Sequence, residues 1–210
     1  MLVAFDFDGT LSDSEMTVLL GEEAGVSERI ADITELAMND EIGYAESLRE
    51  RVGLLEGMRL ENVERAFERV KLRDEAADVI RELSRADRDT AILTGGFKRG
   101  VSRALEKADV DVDHIVANSL EVENGALTGK VDGRLVEGTK DDALEMLAVE
   151  TSTDLDETVA VGDGANDLPM LQVSGLAVGY EPKSAVRPHS DEVVGSMNEL
   201  KLLFEQRGIL

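Results

Sequence analysis

The chain has 210 residues, with 22 lysines and arginines against 45 aspartates and glutamates, giving a formal net charge of −23. That length suits one domain, or one domain with a modest insertion, and that charge speaks against nucleic-acid binding and adsorption to anionic membranes, both of which want a basic surface. The absence of cysteine excludes disulfides and thiolate metal sites, and no apolar run approaches the roughly 20 residues of a membrane span.

Acidic residues are spread along the chain, arginine outnumbers lysine, and aromatic residues make up 3%. This pattern reads as a solvated acidic surface suited to a very salty cytosol, the alternative being an acidic face that docks a basic partner. The opening "MLVAFDFDGT" lacks a basic flank and an apolar run long enough for a signal peptide, so a cytoplasmic protein is expected.

In chain order, "LVAFDFD" (2–8) reads as a first strand, with Asp6 and Asp8 on one side until a turn separates them. From residue 14 to about 71 there is no convincing strand but three or four helical stripes. Ile30, Ile33, Leu36 and Ala37 form one, Leu48, Val52 and Leu55 another, and Val63, Ala66, Phe67 and Val70 a third. Inserted straight after the first strand, this block is expected to lie over the sheet's C-terminal edge as a lid. The chain thus divides into a core of residues 1–13 and 72–210 and a helical cap of residues 14–71.

Beyond residue 71, strand and helix alternate. A stripe of Val79, Ile80 and Leu83 precedes "TAILTGG" (90–96), and one of Val101, Ala104, Leu105 and Ala108 precedes "HIVANSL" (114–120). Asn-Gly and Asp-Gly pairs mark 122–136 as a hairpin excursion. Leu144, Leu147 and Ala148 mark a further helix before "TVAVGDG" (158–164) and "GLAVGY" (175–180), and "MNELKLLFEQ" (197–206) closes the chain as an amphipathic helix. The class is α/β, a parallel sheet with helices on both faces.

Ligands of such sheets bind beyond the carboxyl ends of the strands. Three of those ends read "DFDGT", "TGG" and "GDGANDLPM", so the topology gathers Asp6, Asp8, Thr94, Gly95, Asp163, Asn166 and Asp167 around one pocket. Taken singly, each piece is compatible with an ordinary turn, Asp167 with a helix cap ahead of Pro169, and Lys140 with a solvated surface lysine. Their joint order and placement argue for a site. His114 and His189 lie away from these motifs and read as structural or surface residues.

"DFDGT", "TGG", a downstream lysine and "GDGAND" resemble the four motifs of the haloacid dehalogenase superfamily of phosphotransferases. The resemblance implies a Rossmann-like core and Mg²⁺-dependent phosphoryl transfer through an aspartyl-phosphate. It further implies Asp6 as nucleophile, Asp8 as general acid and base, and Lys140 as the neutralising ammonium. Thr94, Gly95 and Asn166 would hold the phosphoryl group. The metal ligands would be Asp6, the Asp8 carbonyl and Asp163, with Asp167 acting directly or through water. Two acids are needed because one is consumed as nucleophile and an alkyl oxygen leaves poorly unprotonated.

The cap "AMNDEIGYAESLRERVGLLEGM" (37–58), "TGGF" (94–97), "NGALTG" (124–129) and "VAVGDGANDLPML" (159–171) further resemble phosphoserine phosphatases. This implies a small phosphomonoester substrate, O-phospho-L-serine, with Glu15 taking its ammonium and Arg51 its carboxylate, and Met38 and Tyr44 lining the pocket. Arg49 is the competitor of Arg51. Gly9 stands where that family commonly has serine, Thr94 replaces its usual serine, and "YEPKSAVRP" (180–188) follows its pattern only in part. Another small phosphomonoester, or transfer to an acceptor alcohol, is the alternative. A phospho-accepting signalling domain would need neither the second acid nor a lid. The oligomeric state is left open.

Overall fold

The computed structural model describes residues 1–38 and 41–210, the Met38 side chain excepted. Seven strands, β1 (Leu2–Phe5), β2 (Asp89–Phe97), β3 (His114–Glu123), β4 (Ala126–Asp132), β5 (Thr158–Gly162), β6 (Leu176–Tyr180) and β7 (Glu192–Val194), form one sheet. Their order is β4-β3-β2-β1-β5-β6-β7, all parallel except the β3–β4 hairpin. β1, the first strand in sequence, is therefore central and buried on both faces.

Alternation along the strands divides the core. Leu2, Ala4, Ala91, Leu93, Ala160 and Ala177 pack with residues of α8 (Lys140–Glu150) and α9 (Leu168–Val173). Val3, Phe5, Ile92, Val159, Val161 and Val178 pack on the other side with α5 (Ala76–Arg85), α6 (Lys98–Ala108) and α10 (Met197–Gln206). The result is the three-layer α/β architecture expected of buried parallel strands.

β1 ends at Phe5, earlier than the apolar run suggests, because the Phe7 carbonyl accepts the amides of Thr10 and Ser12 at 3.2 and 2.8 Å and folds the chain into a turn. Asp6 and Asp8 therefore leave the strand. The 122–136 excursion is the β3–β4 hairpin followed by a single helical turn, α7 (Arg134–Glu137). β7, only three residues long, carries too little pattern to be read in advance.

Between β1 and α5 lie α1 (Met16–Ala24), α2 (Ser27–Met38), α3 (Tyr44–Gly53) and α4 (Leu60–Glu68), with no strand among the described residues of this stretch. The chain leaves and re-enters the sheet layer side by side: Ser12 bridges Leu72, and the Arg73 amide donates to the Leu11 carbonyl at 2.8 Å. The α3–α4 connection is tied to the hairpin by Gly57 N–H to Leu127 O, Leu127 N–H to Met58 O and Leu60 N–H to Gly125 O, at 2.9, 2.9 and 3.0 Å. α4 rests on α6, joined by the Arg99–Glu64 and Arg103–Glu68 ion pairs.

Candidate active site

The C-terminal ends of β1, β2 and β5 meet around buried charge. The Asp6 amide donates to the Val161 carbonyl at 2.9 Å, which extends the β1–β5 ladder by one residue and fixes the Asp6 backbone. The following loop needs glycine at position 9. Its φ is +91°, and a β-carbon there would fall 2.7 Å from Asp163 Oδ1. Thr10, fully buried, donates from its hydroxyl to the same Asp163 oxygen at 3.4 Å. The first loop is thus pressed against the loop after β5.

Lys140 opens α8, a position where the helix dipole disfavours a cation, and it is only 4% exposed. Its ammonium donates to Asp6 Oδ1 and, at 2.5 Å, to Asp167 Oδ1. Asp167 Oδ2 accepts the amides of Asp163 and Gly164, each at 2.9 Å. Both oxygens of Asp167 are therefore committed, and its side chain caps the β5 loop and not the start of α9, where no side-chain cap bond forms.

Carboxylate oxygens of Asp6, Asp163 and Asp167 lie within 4.8 Å of one another, all three residues buried. Like charges at such spacing repel by several kcal/mol at an effective dielectric near 20. The electrostatics follow. Burial first, then the Asp167 charge, push Asp6 up to about 8 despite Lys140. Burial, then Glu15 and Asp6, hold Asp8 well above the usual carboxylate range. Burial opposes the Lys140 charge, but Asp167 and Asp6 outweigh it and raise its proton affinity above that of an ordinary lysine. Burial and an excess of carboxyl over ammonium groups thus make Asp6 hold its proton to higher pH than an ordinary aspartate, and a cation in the cluster would favour its carboxylate form. The cluster's three buried carboxylates, oxygen donors only, fit a hard divalent cation.

The structure places the remaining sequence-predicted residues as follows. Thr94 is buried, and its Oγ1 accepts the Gly96 amide at 2.9 Å, leaving the hydroxyl proton available. A β-carbon on Gly95 would collide with the Tyr44 hydroxyl, which lies directly over it. Glu15 precedes α1 within charge range of Lys183, Asp163 and Arg51. Arg51, half-buried, donates to Ser47 O at 3.2 Å and Thr17 Oγ1 at 3.4 Å. Arg49 is instead ion-paired with Glu137, both exposed. Asn166 is exposed, with its Oδ1 over Gly164. Met38 lies outside the described side chains. His114 and His189 make no contact with the cluster.

Three further residues, which the motifs do not include, touch the site. Lys183 bonds Asp163 Oδ2 at 2.9 Å through its ammonium and the Asp163 carbonyl through its amide. Arg73 donates to the Gly9 carbonyl at 3.0 Å, pairs with Glu181 and lies 5.0 Å from the Tyr180 ring centre. Asn118 donates to the Gly95 carbonyl at 3.0 Å. The partial match of residues 180–188 was a signal for Lys183; none marked Arg73 or Asn118.

The family model of the haloacid dehalogenase-like hydrolases matches residues 3–172. The chain belongs to that family. This haloacid dehalogenase-like hydrolase is 47% identical over 208 residues to a phosphoserine phosphatase of Halobacterium salinarum, covering 99% of both chains. Among solved structures it resembles a phospho-aspartyl intermediate analogue of phosphoserine phosphatase, with TM-score 0.87, 36% identity and 97% of each chain covered. It also resembles a substrate-bound phosphoserine phosphatase complex, with TM-score 0.88, 34% identity and the same coverage. The mixed α/β sheet and its helices are thus those of the phosphoserine phosphatase fold.

Proposed function

We propose that this chain hydrolyses O-phospho-L-serine to L-serine and inorganic phosphate. The observation that carries the reading is the buried Asp6–Lys140–Asp167 chain beside Asp163 at the ends of β1 and β5, in a protein 47% identical to a phosphoserine phosphatase over its length.

In this reading Asp6 attacks phosphorus through its carboxylate, the bond from phosphorus to the seryl oxygen breaks, and the phosphoryl group becomes an acyl phosphate on Asp6. Asp8 gives its proton to the departing oxygen, then takes one from the water that attacks the acyl phosphate and returns Asp6 as a carboxylate. The raised proton affinity of Asp8 supports that role, because a neutral carboxyl is needed at the first step. Lys140 steadies the charge on Asp6 and on the transferring group. The Thr94 hydroxyl and the Gly95 amide hold phosphoryl oxygens, and Asn166 reaches them too. Positioning and electrostatics supply most of the acceleration for a phosphoryl transfer of loose character.

Oxygen ligands suit Mg²⁺, and Asp6, Asp163 and the Asp8 carbonyl would hold it. When bound it neutralises phosphate charge as a Lewis acid. Asp167 would serve it directly or through water, its side chain held in place by Lys140 and two amides.

The substrate head is zwitterionic, which asks for one carboxylate and one guanidinium. Glu15 takes the ammonium and Arg51 the carboxylate, which a guanidinium can grip with two parallel bonds. Residues 14–71 form the cap, tethered through the paired Ser12 and Leu72 and braced on the β3–β4 hairpin. The charge of −23 suits a salty cytoplasm, a reading supported by the Halobacterium relative. No described helix is long and apolar enough to cross a membrane. Phosphate release from O-phospho-L-serine and a panel of other phosphomonoesters, with Mg²⁺ at low and multimolar KCl, tests the reading. A different preferred ester would overturn it.

A further inference from the structure

The stretch Thr94–Gly96 lies within β2 but outside its ladder. Leu93 stands opposite Val116 on β3, and the next paired residue, Phe97, stands opposite Asn118. Four steps along β2 match two along β3, so two extra residues are looped out. Bulges of this kind leave ladder groups without partners and recur beside active sites, and a carbonyl drawn out of the ladder, here part-buried, is left needing a donor. Asn118 supplies one. Its side chain is fully buried and its Nδ2 donates to the Gly95 carbonyl at 3.0 Å.

The arrangement carries two costs. Asn118 Oδ1 is buried with no partner. Gly133, at φ +150° and ψ 160°, backs onto the same side chain; a β-carbon there would collide with Oδ1 and lie 2.7 Å from the Asn118 α-carbon. An apolar side chain of the same shape would fill the space without an orphaned acceptor.

The gain lies in the peptide plane. The Gly95 carbonyl and the Gly96 amide belong to one rigid unit. Asn118 holds its oxygen, and its N–H points at Thr94 Oγ1 at 2.9 Å. Without the Asn118 bond, two consecutive glycines would let this unit rotate. We propose that Asn118 is a positioning residue for phosphate recognition: by holding the Gly95 carbonyl it orients the Thr94 hydroxyl and the adjoining amides. The inference rests on the assignment of Thr94 and Gly95 as phosphate-gripping groups.

The test titrates inorganic phosphate calorimetrically into the Mg²⁺-loaded enzyme, alongside kcat, KM and thermal unfolding. Asn118→Leu keeps the shape and removes the donor. It should weaken phosphate binding on the order of tenfold, the loss of one hydrogen bond to a part-buried acceptor, and lower kcat for aryl and alkyl phosphates alike. Wild-type phosphate affinity in a folded Asn118→Leu overturns the proposal. In Asn118→Asp the donor returns only when the buried carboxyl is protonated. Its affinity, taken as a ratio to wild type at each pH, should therefore recover toward about pH 5. No recovery overturns the proposal, and this variant decides the matter if Asn118→Leu does not fold. If wild type hydrolyses no phosphomonoester and binds no phosphate, the reading of Thr94 and Gly95 fails instead.

Discussion

Truncating Arg51 separates recognition of the amino acid head from phosphoryl chemistry. Among the described residues Arg51 has no carboxylate partner; its bonds go to the Ser47 carbonyl and the Thr17 hydroxyl, both neutral. Its charge is therefore available to a substrate carboxylate in a half-buried setting. A hydrogen bond to a charged group is worth about 1.5–3 kcal/mol, so Arg51→Ala should raise KM for O-phospho-L-serine roughly 10- to 150-fold. An aryl phosphate, which has no amino acid head, should lose less than about threefold. Arg49 provides the internal control. Its pair with Glu137 is exposed on both sides, where ion pairs contribute about 0–1 kcal/mol, so Arg49→Ala should leave both substrates nearly unchanged. Steady-state kinetics on the two substrates with the three proteins decides the point. Equal losses on both substrates, or a larger effect from Arg49, would refute the assignment.

Asp8→Asn removes the proton donor and should slow phosphoserine turnover by about 10²–10⁴-fold. The first step should suffer less with an aryl phosphate, whose oxygen leaves without help, so phosphorylated enzyme should accumulate in that variant; its absence from mass spectra speaks against Asp8 as the base of the second step. Lys140→Met strips Asp6 and Asp167 of their ammonium, and breaking a buried pair costs about 3–5 kcal/mol. Urea denaturation of the metal-free protein should register that loss, and unchanged stability would mean the three groups are not coupled. Self-repulsion from a charge of −23 is screened as the Debye length falls from about 10 Å at 0.1 M salt to 3 Å at 1 M. The thermal unfolding midpoint should therefore rise with KCl; a flat or falling curve contradicts the acidic-surface reading.

The α/β order and the convergence of Asp6, Asp163 and Asp167 were legible in the sequence because they sit in continuous local patterns; the central place of the first strand was not. Strand-end motifs carry their own context, and a parallel sheet then brings them together. Lys140 shows the limit of that logic. Its position at the start of α8 looks like a solvated lysine until the fold buries it between two aspartates. Asp167 was legible as a capping residue, but which amides it caps depended on the curl of the β5 loop. Asn118 was invisible because its role arises only from the mismatch between β2 and β3, a relation between distant segments. Arg73 likewise acts across the seam where the chain re-enters the sheet layer. That Glu137, 88 residues away in sequence, engages Arg49 is also a relation no pattern within one helix carries.

The most direct test of the covalent route is to quench the Mg²⁺-loaded enzyme during turnover of ³²P-labelled phosphoserine and map the labelled peptide. Acid-stable, hydroxylamine-sensitive label on the peptide containing Asp6, absent in Asp6→Asn together with turnover, is the result expected here. Label on another residue, or an Asp6→Asn enzyme that still turns over at the wild-type rate, would contradict it.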